Sequence, residues 1–309
     1  MCNSFPVADS EAIATVRDFN RFFTQFVGAL NAEFLGTDMT LTEARVLFEV
    51  AQGHASNASE LEAALDLDAG YLSRILKRFE GRGWIERTSS GVSRRQTIAL
   101  SKNGRSAFRT MDVRQSRKVS TILDGLTQYQ QNDLTAALSV ARVLLAGNQN
   151  RSFALRVFRT GDMSMIAARQ SLLYRETYGW GPQIEVHEGE VTTAFLRNFK
   201  EGREQCWVAE IGNAMAGSVF LTDEGDAISR LRLLYVEPFA RGLGIGRALV
   251  SECIDFARDV GYNSVILWTH TILETARRIY EAQGFRIIES KMHSTFGMPL
   301  QGETWRLDL

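Results

Sequence analysis

Leu231-Arg-Leu-Leu-Tyr-Val-Glu-Pro-Phe-Ala-Arg-Gly-Leu-Gly-Ile-Gly-Arg-Ala-Leu-Val250 reads as a strand, a glycine-rich bend and a helix start. Leu231 to Val236 is mostly apolar and suits a buried strand. Pro238 ends it, because proline cannot donate to a ladder. Gly242, Gly244 and Gly246 then alternate with Leu243 and Ile245. Glycine admits positive φ and lets a backbone approach a ligand closely. The helix that follows is expected to bury Ile245, Leu249, Cys253 and Ala257 on one stripe, with Ile254 beside it. Its first N–H groups then face the bend, where they favour an anion such as a pyrophosphate.

The bend is not a P-loop, since no Lys-Ser/Thr pair follows the last glycine. Nor is it a dinucleotide fingerprint, since the spacing is Gly-x-Gly-x-Gly rather than Gly-x-Gly-x-x-Gly. Arg241-x-x-Gly244-x-Gly246 behind a strand fits a plain strand-turn-helix corner, and it also resembles the acetyl-CoA loop of the GNAT acetyltransferases. Two companions favour the second reading. Leu-Leu-Tyr-Val-Glu-Pro upstream looks like that family's fourth strand. Tyr280-Glu-Ala-Gln-Gly-Phe285 downstream is similar to its usual helix ending and strand entry.

The resemblance covers about residues 153 to 309. It implies that two central strands splay apart and that the pantetheine arm of acetyl-CoA fills the gap. Backbone groups of Leu234 and Val236 would pair with the arm, and an N–H near Val236 would polarise the thioester carbonyl. The N–H groups of Gly242, Gly244, Ile245, Gly246 and Arg247 would hold the pyrophosphate, with charge from Arg241 or Arg247. Tyr280 stands where the family often places the general acid for the leaving thiolate. An asparagine that often precedes that tyrosine by seven residues is here Leu273, with Thr269 or Thr271 as substitutes. The general base is open among Glu237, expected to face water, Glu210 and His293.

A chain of 309 residues suggests about two domains. Hydrophobic residues make up 45%, enough for two cores, and the net charge of −1 gives no global electrostatic preference. Cys2, Cys206 and Cys253 form neither a disulfide framework nor a metal motif, which fits a reducing cytoplasm. His54, His187, His270 and His293 show no ligand spacing, so no metal is expected. No apolar run approaches a membrane span, and the first ten residues do not read as a signal peptide.

The first half reads as helices. Ile13, Val16, Phe19, Phe23, Phe26, Val27 and Leu30 recur at helical spacing, more apolar bulk than one small core needs. That helix is either buried on two sides or part of a dimer interface. A second helix starts at Thr42 and ends at Gly53. Ser59-Glu-Leu-Glu62 reads as a capping box for a third. After the turn Asp66-Leu67-Asp68, a fourth helix from Ala69 to Glu80 is expected to bury Leu72, Ile75, Leu76 and Phe79. It would expose Ser73, Arg74, Lys77 and Arg78, which makes a helix-turn-helix with a basic second helix. Trp84 to Arg87 and Gln96 to Leu100 read as two strands of a wing, with a polar tip between them. From Arg74 to Lys118 thirteen Lys or Arg stand against three Asp or Glu, an electrostatic footprint for phosphates.

The segment Tyr71-Leu-Ser-Arg-Ile-Leu-Lys-Arg-Phe-Glu-Gly-Arg-Gly-Trp-Ile-Glu-Arg87 resembles the MarR family of winged-helix regulators, over roughly residues 10 to 145. The family's wing carries an Asp-x-Arg motif. Arg94 matches the arginine, while Val92 stands in the aspartate's place. The resemblance implies contacts to double-stranded DNA from Ser73, Arg74, Lys77, Arg78, Arg94 and Arg95. It also implies a homodimer through the terminal helices, the second running from Asn103 through Leu145.

The polar run Gly147-Asn-Gln-Asn150 is the expected linker. The chain then divides into a MarR-like winged-helix domain over 1–148, mainly α, and a GNAT-like domain over 149–309, α/β with a mixed, mostly antiparallel sheet. In the second domain a strand (Phe153 to Arg159), a helix capped by Asp162 and a second helix (Glu190 to Phe199) precede the sheet. Tyr178 and Trp180 either line a substrate mouth or plug a core edge. The ending Gly302-x-x-Trp-x-Leu-x-Leu309 extends the resemblance to MarR–GNAT fusion proteins. The implied function is a cytoplasmic DNA-binding regulator joined to an acetyl-CoA-dependent N-acetyltransferase for a small amine or lysine. The alternatives are a regulator that only senses acetyl-CoA, and an enzyme that uses the winged helix as a dimerisation scaffold. Glu176, Glu185 and Glu188 near the mouth would suit a cationic acceptor.

Overall fold

The computed structural model describes residues 9–31, 33–89, 96–146 and 152–309. The chain forms two compact units, one ending at Thr127 and one running from Gln128 to Leu309.

The first unit contains α1 (Ser10–Val27), α2 (Leu41–Gln52), α3 (Ala58–Leu65), α4 (Ala69–Gly81), β1 (Ile85–Ser89), β2 (Gln96–Leu100) and α5 (Lys102–Asp124). As the spacing predicts, α4 buries Leu72, Ile75, Leu76 and Phe79, and they join Leu47 of α2 and Leu61 of α3 in one core. β1 and β2 pair antiparallel, with Ile85 opposite Leu100. The expected capping box at Ser59 and Glu62 is not formed. Asn57 caps α3 instead, its side chain accepting the Glu60 N–H at 3.1 Å. The Glu60 carboxylate is held by the Ser56 N–H and hydroxyl at 2.6 and 2.9 Å. A reciprocal box does occur on α2, between Thr40 and Glu43. α1 buries none of its residues, so burial on two sides is excluded among the described residues: Ile13, Val16, Phe19, Phe22, Phe23 and Phe26 all stay exposed.

α5 is anchored by a close approach. Ser101 caps it, the hydroxyl accepting the Gly104 N–H at 3.0 Å and donating to the Gly83 carbonyl at 2.5 Å. Gly104 therefore lies directly against the Trp84 backbone, and a Cβ there would meet the Trp84 carbonyl oxygen at 1.9 Å.

The second unit begins with α6 (Gln128–Ala146), then β3 (Ala154–Val157), α7 (Asp162–Tyr178) and α8 (Gln183–Asn198). β4 (Gln205–Ile211), β5 (Ala214–Gly225) and β6 (Ile228–Val236) follow, and a 3₁₀ turn at Pro238–Ala240 leads to α9 (Ile245–Val260). β7 (Ser264–His270), α10 (Glu274–Ala282), β8 (Arg286–His293) and β9 (Leu300–Asp308) complete it. The sheet has seven strands in the order β3-β4-β5-β6-β7-β9-β8. Only β6 and β7 run parallel among the described strands, so the sheet is mixed and mostly antiparallel, as expected. α9 buries Ile245, Leu249, Cys253, Ile254 and Ala257, the stripe read from the sequence, in one core with Leu231, Leu267 and Trp305.

α6 packs against β5, with Val143 in the same core and the Asn213 amide donating to the Thr135 hydroxyl at 2.7 Å. The units therefore divide in the turn before Gln128, ahead of the polar run read as the linker, of which residues 147–150 lie outside the described residues. Two further expectations change. α8 starts at Gln183, because Pro182 sits in its cap position, where a missing N–H costs nothing. Asp162 does not cap α7: Arg156 and the Arg159 N–H take its carboxylate, at 2.6 and 3.0 Å and at 2.6 Å.

Two features of β6 shape the site. Its pairing with β7 runs from Ile228↔Ser264 to Leu231↔Leu267 and goes no further, although both strands continue. On its other edge the register with β5 shifts, so that Leu233 and Leu234 lie opposite the single residue Val219. That is a bulge, and Leu233 takes φ +47° within it.

Candidate functional site

Where β6 and β7 part, two cavities meet. The first is a groove of about 580 Å³. Its walls include Leu234, Val236, Arg241, Gly242, Gly244, Ile245, Gly246 and Arg247, the whole set expected to hold acetyl-CoA. Gly242 and Gly244 have φ +83° and +82°, which explains glycine at both. Gly244 is the N-cap of α9, and the helical ladder starts with Ala248 N–H donating to the Gly244 carbonyl at 3.0 Å. The N–H groups of Ile245, Gly246 and Arg247 thus have no acceptor within the helix and meet the groove, an arrangement that fits an anion. A Cβ at Gly246 would lie 2.9 Å from Ile279 Cδ1, so a larger residue there would push that side chain aside. Thr275 and Ile279 of α10 and Tyr178 also line the groove, and the sequence did not mark Thr275 or Ile279.

The second cavity, about 210 Å³, opens on the other side of the gap. Tyr174, Leu234, Leu273 and Ala276 belong to the walls of both. Tyr280 lines this second cavity, 4% exposed, and burial pushes its hydroxyl pKa far up, so it keeps its proton. Trp180 is buried in the wall and stacks on Phe296 at 4.6 Å, so it lines the mouth and closes a small core as well. Thr269 is in this wall too, and Thr271 is in neither.

Sequence spacing did not foresee that three of the four histidines gather here. His187 and His270 line the cavity, and His270 Nε2 lies 3.0 Å from His293 Nε2. The Thr295 N–H reaches His293 Nδ1 at 3.3 Å. A backbone N–H can only donate, so His293 carries its proton on Nε2 and donates to His270. Burial, then His293 and His187, push His270 down to about 4, and burial lowers His187 and His293 as well. All three are neutral at neutral pH. Among the described residues no group of three or more His, Cys, Asp or Glu side chains is placed to hold a metal ion.

Of the three glutamates read near the mouth, Glu188 lines the cavity. It is 2% exposed, while Glu176 and Glu185 are exposed. Its Oε2, the Gln170 Oε1 and the Trp180 Nε1 are buried without a hydrogen-bond partner, and all three residues line the cavity. Burial raises the Glu188 carboxyl from an ordinary 4.5 to about 8. Between those values the unfolded chain is ionised and the folded chain is not, so stability falls as pH rises, by up to about 1.4 kcal/mol per unit. Glu188→Gln removes the penalty. The Tm of the variant is expected to pull ahead of wild type from pH 5 to pH 8 and then hold its lead. Calorimetry across that range checks it, and parallel curves would mean that the carboxyl ionises freely in the fold.

The three base candidates fare differently. Glu237 is buried rather than facing water, because Arg169 grips it at 2.7 and 2.8 Å. Glu210 is bound to Arg156 at 2.7 Å. Neither lines the cavity. His293 reaches it only through His270.

On the first unit, Ser73, Arg74 and Lys77 project from α4 into solvent. Arg74 rests over the Tyr71 ring, 5.7 Å from its centroid. Arg78 is exposed but tied to the buried Glu43 at 2.6 Å and to the Asp38 carbonyl at 2.6 Å, so its guanidinium braces α4 on α2. Arg94 and Arg95 lie outside the described residues.

Comparison with known proteins agrees with both units. Residues 170–285 match the acetyltransferase (GNAT) family, and residues 37–96 match the MarR family. N-acetyltransferase 8F1 of Rattus norvegicus is 40% identical over 85 residues, 26% of this chain and 38% of that protein. N-acetyltransferase 8 of Homo sapiens is 38% identical over 103 residues, 31% of this chain and 44% of that protein. The chain thus spans about two fifths of the length of either relative. A GNAT-family acetyltransferase of Streptococcus pneumoniae of known structure is 18% identical, with a TM-score of 0.43, over 51% of this chain and 100% of that one. The glycine bend, the parted strands and the basic helix-turn-helix thus fall inside matched families, and the chain joins a MarR-type domain to a GNAT acetyltransferase domain.

Proposed function

We propose that the chain is a cytoplasmic DNA-binding regulator that also transfers an acetyl group from acetyl-CoA to a small amine. The observation that carries the enzymatic half is the meeting of the two cavities at the gap between β6 and β7, with Tyr280 in the wall of the second. Acetyl-CoA lies in the groove, its pyrophosphate on the N–H groups at the start of α9 and its pantetheine arm against the open edge of β6 at Leu234 and Val236. The amine enters from the second cavity. Its nitrogen lone pair attacks the thioester carbonyl carbon, and the developing oxyanion takes an N–H near Val236. The C–S bond then breaks and Tyr280 passes its proton to the departing thiolate, while the proton shed by the acylated nitrogen leaves to water and solvent returns one to Tyr280.

Thiol release from acetyl-CoA, measured across a panel of amines and a lysine peptide, tests this. Turnover with at least one amine is the expected result. Binding of acetyl-CoA with no turnover would instead make the domain a sensor.

Exposed Ser73, Arg74 and Lys77 on α4 support DNA binding. Arg74→Ala is expected to weaken operator binding by about 1–3 kcal/mol, read by fluorescence anisotropy at fixed salt. Unchanged affinity would reduce the winged helix to a scaffold. The exposed apolar face of α1 supports a homodimer, a second copy covering Phe19, Phe22, Phe23 and Phe26.

A further inference from the structure

The walls of the smaller cavity carry opposite demands on two sides. On one, Glu188 Oε2 and Gln170 Oε1 are buried acceptors that nothing satisfies. A buried polar atom left unpaired is costly, so such atoms persist where a ligand supplies the missing donors. A primary ammonium has three N–H donors and no acceptor, and it gains further from aromatic faces such as those of Trp180 and Tyr174. On another side, Arg230 and Arg232 of β6 also line the cavity, and they share one carboxylate. Arg230 holds Glu224 with two bonds, at 2.8 and 3.1 Å, and Arg232 reaches the same Glu224 only at 3.3 Å. Two guanidiniums against one carboxylate leave this wall with a net positive charge, which favours an anionic group on the ligand.

We infer that the acceptor is a small zwitterion, a free amino acid, whose amine meets Glu188 and Gln170 and whose carboxylate meets Arg232. This rests on the acetyl-transfer reading of the same cavity. At about 210 Å³ the space suits a small molecule rather than a length of polypeptide. The planar, bidentate geometry of a guanidinium matches a carboxylate. Among the described ion pairs Glu188 forms none and Arg232 pairs only with the shared Glu224, so both remain available to the ligand.

The test uses the full chain with acetyl-CoA, apolar amino acids such as leucine, methionine and phenylalanine, and the amine obtained from each by removing its carboxylate. At least tenfold higher kcat/KM for an amino acid than for its decarboxylated partner is expected. In Arg232→Gln this preference should collapse through a higher KM for the amino acid. Arg232→Lys, which keeps the charge, should retain part of it. Equal or better use of the plain amines, or a preference that survives Arg232→Gln, would overturn the inference. Absence of thiol release with every acceptor would instead overturn the acetyl-transfer reading. The pocket's preference would then be read by calorimetry with CoA present, where an amino acid that binds tenfold more tightly than its amine upholds it and equal binding ends it.

Discussion

Tyr280→Phe is expected to lower kcat for acetyl transfer by about 10²-fold or more, the usual scale for removing a positioned general acid. The fold should not notice. The Tyr280 ring packs edge-on against Phe285, at 5.8 Å between centroids, and near Trp305 at 6.2 Å, contacts that a phenylalanine keeps. The loss is confined to one hydroxyl, and burial holds that hydroxyl neutral at every working pH. A thiolate leaving into this cavity meets a proton donor that never deprotonates in advance. Thiol release gives kcat, calorimetry gives acetyl-CoA affinity, and a thermal melt gives stability. A lowered kcat with the other two unchanged assigns the role. If kcat is unchanged, the thiolate departs without help and Tyr280 is wall only.

Gly104→Ala is expected to have the largest effect on stability. The added methyl would sit 1.9 Å from the Trp84 carbonyl oxygen and 2.8 Å from its carbon, both backbone atoms that no rotamer change can move aside. Overpacking of a well-filled site costs about 1–3 kcal/mol and sometimes more, and here relief requires α5 to lift from the start of β1. That also strains the Ser101 bridge between α5 and the Gly83 carbonyl. The variant should lose DNA binding and melt at lower temperature in a separate first transition, while thiol release persists in the intact second unit. Two transitions by calorimetry, one shifted and one not, would check it. An unshifted melt would show that the helix start gives way cheaply.

The two cores were largely legible in the sequence because periodicity reports burial directly. The four buried residues of α4 and the stripe of α9 appear where their spacing puts them. The glycine bend was legible because positive φ at Gly242 and Gly244 leaves a chemical mark. The amine side of the site was legible only in part, through Trp180 and Glu188. Gly179, Gly181 and Pro182 suggested a long break, so Ile184, His187 and Glu188 fell into an expected loop, yet α8 begins at Gln183 and turns all three into the cavity wall. Gly189 inside that helix weakened its signal further. His270 was hidden for a different reason. It ends β7, and its side-chain contact with His293 of β8 joins positions 23 residues apart that no local pattern links.

The placement of α6 bears on how such a chain was assembled. Read by pattern, the helix looks like the tail of the DNA-binding half. By packing it belongs to the other half, with Val143 in one core with Trp305 near the far end of the chain. A gene fusion cut at the polar run after residue 146 would strip from the second module a helix that packs on β5. The stretch between the two matched segments, from residue 96 to residue 170, is therefore not neutral spacer that recombination can trim at will. Any shuffled descendant that keeps the acetyltransferase must carry this borrowed helix with it.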